Sequence, residues 1–144
     1  MKAVVVDASM AAAWTLDDER SAAGDRILEE VRTHFPVTLP LFWYEYRSVL
    51  LMRHRRKGLS RESITDLIKA VSAIGIEELK VDDHEAIFSL AFQYDLSAYD
   101  AAYLALAIEL KGILATNDRQ LVLAARAAGV DVRTTLDKVA GRTT

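Results

Sequence analysis

Cysteine is absent from the 144 residues, proline occurs only twice and glycine only six times. Without cysteine there is no disulfide, no thiolate zinc site and no cysteine nucleophile, which suits a reducing compartment, and a cytoplasmic location is expected. There is no low-complexity tract and no internal repeat. Long apolar runs are missing too. The stretch Met1 to Val6 ends at Asp7, too short for a signal-peptide core or a membrane span. The run from Leu39 to Met52 is broken by Glu45 and Arg47 and reads as a buried helix. A net charge of −3 excludes a general polyanion binder, so any nucleic-acid contact must use a local basic surface or metal ions.

What remains is a composition that is 51% hydrophobic and 27% charged, that of a folded domain spanning residues 1–144. Ala3-Val4-Val5-Val6 reads as a strand buried on both faces. Val37-Thr38-Leu39, Glu77 to Val81, Gly112 to Ala115 and Val130 to Val132 read as four more strands. Helical segments lie between them: from Ser9, from about Ser21 to Arg32, from Phe42 to Arg56, and from Ser60 onward. Three more follow, one capped by Asp82 with Glu85 and reaching Tyr94, one from Ser97 to Leu110, and one from Asp118 to Ala128. Gly58 is the expected stop of the third helix. Alternating strands and helices predict a three-layer α/β/α sandwich on a five-stranded parallel sheet. In such sheets ligands bind beyond the carboxyl ends of the strands, at the switch in strand order.

Four acids fall at or near that rim. Asp7 follows the first strand directly, and Asp118 follows the fourth by three residues; Asp100 sits in the first turn of its helix and Glu45 near the start of another. Each also has a plain structural reading. Asp7 and Asp118 suit helix caps, Ser97 with Asp100 matches a capping box, and Glu45 suits a solvated helix position. Taken together they repel one another unless a cation neutralises them. Oxygen donors without cysteine or clustered histidine select a hard ion, Mg²⁺ or Mn²⁺. Such an ion activates water and stabilises charge on a phosphoryl oxygen.

Rival phosphate chemistries lack their residues. The turn Asp7-Ala8-Ser9-Met10 has no glycine on which a nucleotide phosphate would rest. Ser9 stands where a haloacid-dehalogenase-like site needs its second Asp, and Val5-Val6 stand where a receiver domain needs acids.

Val5-Val6-Asp7-Ala8-Ser9, Glu45 before Ser48-Val49-Leu50, Leu96-Ser97-Ala98-Tyr99-Asp100-Ala101-Ala102-Tyr103, and Thr116-Asn117-Asp118 resemble the motifs of PIN domains in order and spacing. The resemblance covers essentially the whole chain, and its most specific part is Ser97 to Tyr103. A PIN domain with nothing appended is similar to the VapC toxins of toxin–antitoxin pairs. The resemblance implies Mg²⁺- or Mn²⁺-dependent endoribonuclease activity, a homodimer, and a small VapB-like antitoxin that inhibits it in a heterotetramer or larger assembly. It assigns Asp7, Glu45, Asp100 and Asp118 to metal and catalysis, and Ser9 and Thr116 to hydroxyl donors that orient the carboxylates. Arg47 and Ser48 depart from the pattern, since many relatives carry Asn near there. A catalytically silent PIN-like scaffold that binds RNA or assembles partners is the alternative.

The run Arg53-His54-Arg55-Arg56-Lys57 suits the negative end of a helix dipole, and Arg55 and Arg56 are also candidates to contact RNA phosphates. Trp14, Trp43, Tyr44, Tyr46, Tyr99 and Tyr103 are expected in the core or a subunit interface, and His34, His54 and His84 on the surface. Asn117 receives no role.

Overall fold

The computed structural model describes residues 1–136; residues 137–144 of the expected domain span lie outside the described part. The elements run β1 (Ala3–Val6), α1 (Ala8–Thr15), α2 (Ala22–Arg32), β2 (Phe35–Thr38), α3 (Leu41–Lys57), α4 (Arg61–Ser72), β3 (Glu77–Glu78), α5 (His84–Tyr94), α6 (Ala98–Leu110), β4 (Ile113–Ala115), α7 (Arg119–Ala127) and β5 (Asp131–Arg133). The sheet order is β3-β2-β1-β4-β5, and every pairing is parallel. β1 is central because its valines are apolar on both faces. Val4 and Val6 pack under α1, α2, α3 and α4 with Trp14, Phe42, Tyr46 and Val71. Val5 faces the other way, under α5, α6 and α7 with Tyr103, Leu104 and Leu121. This is the expected three-layer α/β/α sandwich. Strand order reverses between β1 and β4, so the turns after these two strands form the switch point.

Element boundaries moved from their expected places, each for a local reason. β2 starts at Phe35, ahead of Pro36, and ends at Thr38. Phe35 N–H donates to Lys2 C=O at 3.0 Å, so the missing N–H of Pro36 points away from β1. On that side β3 pairs only with Val37 and Thr38, and no ladder bond is lost. β3 is two residues, not five, and its exposed glutamates suit a sheet edge that must not recruit another strand. β5 lies one residue later than expected, at Asp131–Arg133. Asp83, not Asp82, caps α5, its Oδ1 accepting from Ala86 N–H at 3.0 Å. The helix phase is set by Ile87, Leu90, Ala91 and Tyr94 packing on the core, and the Glu85 spacing does not override it.

Two glycines have steric causes. Gly58 ends α3 at φ 73°, a left-handed cap as expected. Gly112 precedes β4 where a Cβ would stand 2.5 Å from the Ala3 carbonyl oxygen, so only glycine lets β4 lie against β1. Among the described residues no helix is long and apolar enough to cross a membrane.

Candidate functional site

The turns after β1 and β4 are locked together around one buried carboxylate. Asp7 is 4% exposed. Its backbone caps the β1–β4 ladder by donating to Ala115 C=O, and its side chain caps α1, with Oδ1 accepting from Met10 N–H at 3.0 Å. Oδ1 also accepts from Ser9 Oγ at 2.7 Å, and Oδ2 accepts from Thr116 Oγ1 at 2.5 Å. Each hydroxyl has a single proton, and both protons go to Asp7. Their lone pairs are filled from the other turn: Ser9 Oγ accepts from Asn117 N–H at 2.8 Å and Thr116 Oγ1 from Asp118 N–H at 3.0 Å. Backbone N–H groups of the β4–α7 turn therefore polarise two hydroxyls toward one carboxylate. Ser9 donates to Asp7, the acid beside it in the motif; Thr116, expected beside Asp118, gives its proton to Asp7 instead and meets Asp118 only through the backbone N–H.

Asp118 is half-buried and caps α7, accepting from Leu121 N–H at 2.9 Å. Asp100 is half-buried in the first turn of α6, where Ser97 Oγ accepts its N–H at 3.1 Å. Glu45, one turn into α3, is half-buried and accepts from Tyr103 Oη at 2.8 Å. Asp7 and Asp118 are helix caps as expected, while Glu45 is not the solvated position it could have been.

The charges of these acids act on one another. Burial pushes the Asp7 carboxyl up to about 7; its hydrogen bonds from Thr116, Ser9 and Met10 oppose this, and Asp100 adds to it. Asp100 is pushed up to about 6, by burial first and then by Asp118 and Glu45. Glu45 is raised by burial, with Tyr103 opposing and Asp118 adding. Desolvation leads in all three, and repulsion among carboxylates follows. Among the described residues no three carboxylate or imidazole groups stand close enough to grip one ion together. The quartet is a coupled rim and not a closed cage. Its chemistry fits a hard dication, since it offers carboxylate and hydroxyl oxygens only.

Arg55 and Arg56 are not at this rim. Both are exposed at the far end of α3, ten and eleven residues beyond Glu45, or about 15 Å along the axis at 1.5 Å per residue. Their neighbours in the basic run are engaged elsewhere: Arg53 with Asp18 and Glu19, Lys57 with Asp18, and His54 Nδ1 with Leu59 C=O. Of the aromatic residues expected in the core or a subunit interface, Trp14, Tyr46 and Tyr103 are buried and Trp43 partly so, whereas Tyr44 and Tyr99 are 69% and 62% exposed. Each precedes a rim acid and lies on the solvent side of a helix whose neighbouring residues Phe42, Tyr46 and Ala101 face the core. His84 is exposed as expected; His34 and His54 are half-buried against Lys2 and Leu59.

Two contributors were not legible in sequence. Asn117 ties the turn carrying Thr116 and Asp118 to the end of β5: its Oδ1 accepts from Thr134 Oγ1 at 2.8 Å and Thr135 N–H at 2.9 Å, while Nδ2 donates to Thr135 Oγ1 at 2.8 Å. An Asn between a strand and a helix cap was the available signal. Tyr103 lies 58 residues from Glu45, and no local pattern links them.

An open parallel sheet with coupled acids at its switch point defines a class, and comparison of the whole chain names it. The PIN domain profile matches residues 4–127, and the chain belongs to the PIN-domain family. Among curated proteins it is similar to Ribonuclease VapC3 of Pyrobaculum aerophilum, 36% identical over 126 residues that cover 82% of this chain and 91% of that protein. The fold is also that of the crystal structure of PAE2754 from Pyrobaculum aerophilum, at a TM-score of 0.70 and 22% identity over 98% of both chains.

Proposed function

We propose that the chain is a Mg²⁺- or Mn²⁺-dependent endoribonuclease and the toxin of a type II toxin–antitoxin pair. The observation that carries the reading is the buried Asp7 carboxylate, raised to about 7 and coupled to Asp100 within an acidic quartet. Membership in the PIN family and the likeness to a protein named as a VapC ribonuclease support it.

In this reading Asp7, Asp100 and Asp118 would hold the metal directly or through water, and Glu45 would complete the set. When bound, a hard dication supplies positive charge beside a phosphoryl oxygen and acidifies water. The chain's own residues do the rest. Ser9 and Thr116 fix the Asp7 oxygens, so the carboxylate does not rotate to minimise repulsion. Glu45, with its affinity for a proton raised, is suited to take one from the attacking water. Water attacks phosphorus in line with the leaving oxygen, with no covalent intermediate on the protein. Arg55 and Arg56 are exposed and serve as a distant phosphate contact along a bound RNA. A homodimer, a VapB-like antitoxin bound in a heterotetramer or larger assembly, and a cytoplasmic location complete the proposal.

A second reading is favoured by one observation, the open arrangement in which no three acids converge among the described residues. It is the catalytically silent scaffold. Antitoxin-free protein incubated with total RNA separates the two. Cleavage that needs Mn²⁺, stops with EDTA and is lost in Asp7→Asn establishes the nuclease; RNA retention without products in Mn²⁺ establishes the scaffold.

A further inference from the structure

We infer that Tyr103 is a positioning residue, a buried hydroxyl that holds Glu45 at the rim by one carboxylate oxygen and leaves the other for the metal. The inference rests on the nuclease reading for its purpose, and on geometry for its content.

Tyr103 is 1% exposed, and its Oη donates to Glu45 Oε1 at 2.8 Å. Among the described residues this is the one hydrogen bond given to either oxygen of Glu45. Tyr103 lies three residues after Asp100 on α6, so one face of that helix carries both a rim acid and the donor that fixes a second acid on α3. The separation of Glu45 from Asp100 is thereby set by a side chain that touches neither substrate nor ion. The phenol is itself steadied. Thr38, at the end of β2, donates to Val6 C=O at 2.6 Å and is a second polar neighbour of the Tyr103 hydroxyl. Burial, and then the nearby charges of Glu45 and Asp7, hold the phenol proton in place far above neutrality. Tyr103 therefore stays a donor wherever the protein is folded. Nothing in packing alone demands this, since phenylalanine fills the same volume among Leu104, Leu106 and Val37.

α3 supplies an internal control. Tyr46, the residue after Glu45, is buried, and its Oη pairs at 2.8 Å with Thr15 Oγ1 and not with an acid. The full chain is prepared as wild type, Tyr103→Phe and Tyr46→Phe, each also in a Glu45→Gln background. Mn²⁺ affinity is measured by calorimetry, thermal stability without metal by circular dichroism, and RNA cleavage as kcat and KM. Tyr103→Phe is expected to weaken Mn²⁺ binding roughly 10- to 100-fold, the range for residues that orient metal ligands, and to lower kcat while leaving KM for RNA in place. Tyr46→Phe is expected to leave Mn²⁺ affinity and kcat unchanged. In the Glu45→Gln background Tyr103→Phe should have no further effect on Mn²⁺ affinity.

Wild-type Mn²⁺ affinity in Tyr103→Phe overturns the inference, as does an equal loss in Tyr46→Phe or a loss that persists without the Glu45 carboxylate. If Mn²⁺ binding follows the expected pattern but no protein cleaves RNA, the positioning role stands and the nuclease reading fails. Wild-type protein that binds no Mn²⁺ overturns both.

Discussion

Acids in two regions of this molecule experience opposite surroundings. On the flanks, carboxylates have cations: Glu30 receives Arg133 Nε at 2.8 Å and Nη2 at 3.0 Å, and Asp18 with Glu19 receives Arg53. Their partners hold Glu30 and Asp18 below the usual carboxylate range. At the rim of β1 and β4 no Lys or Arg pairs with Asp7, Glu45, Asp100 or Asp118 among the described residues, and three of the four are raised. The difference is not scarcity of basic residues, for the chain has 18. The rim is the place where negative charge is buried and left unneutralised by the protein itself. The proposed metal ion would neutralise it.

The largest test removes the charge from that contrast. Asp7→Asn should abolish cleavage, yet raise the melting temperature of the metal-free protein at pH 8. The sign follows from linkage: a folded-state value of about 7 against an unfolded 3.8 means that stability is full below pH 3.8 and is lost as pH rises to about 7. The complete cost is on the order of 4 kcal/mol at 1.36 kcal/mol per pH unit, and recovering half of it gives roughly 5 °C. An Asp7→Asn protein less stable than wild type at pH 8 breaks the comparison. Differential scanning calorimetry with and without Mn²⁺ measures it, and Mn²⁺ should stabilise wild type alone.

Next in size is the hydroxyl pair. Thr116→Val deletes the donor to Asp7 Oδ2 and the acceptor for Asp118 N–H, and should cost roughly 10- to 100-fold in Mn²⁺ affinity. Thr116→Ser should restore most of it. Equal behaviour of the two variants shows that the hydroxyl is idle.

The pH profile comes third. Cleavage should rise with pH through the window of about 6 to 7 in which Asp100 and Asp7 lose their protons. Because metal and protons compete, raising Mn²⁺ about tenfold should move the acid limb down by as much as one pH unit. An acid limb indifferent to metal concentration sinks the link between those protons and the ion.

The smallest effect belongs to the flank. Arg133→Met should destabilise by roughly 0.2–1 kcal/mol, as for other partly exposed pairs. This loss should appear above pH 4.5 and fade as pH falls and Glu30 takes its proton, the reverse of the Asp7 dependence. Mn²⁺ affinity should not change. Urea melts at pH 3 and pH 8 distinguish the two regions by the sign alone.

Much of the fold is legible in the chain because it is written in local terms. The valines of β1, the helix caps Ser21, Ser60, Ser97 and Asp118, and the stop at Gly58 act within a few residues. Boundaries slipped where a distant element decides them, as at β3, whose length is limited by what β2 offers. Asp7 and Asp118 are visible because strand ends announce them, and Glu45 and Asp100 because they sit near helix starts. Asn117 and Tyr103 are not, because their partners lie 18 and 58 residues away.

The sequence alone therefore determined the alternation of strands and helices, the parallel sheet, and the four acids at its carboxyl side, since periodicity, capping and β-branching act over one or two turns of chain. Tertiary structure decided which hydroxyl holds which oxygen, and which carboxylates feel one another. Both depend on burial and on distances across the sheet, and solvent exclusion, which raises Asp7 and Asp100, exists only once the layers have closed over it.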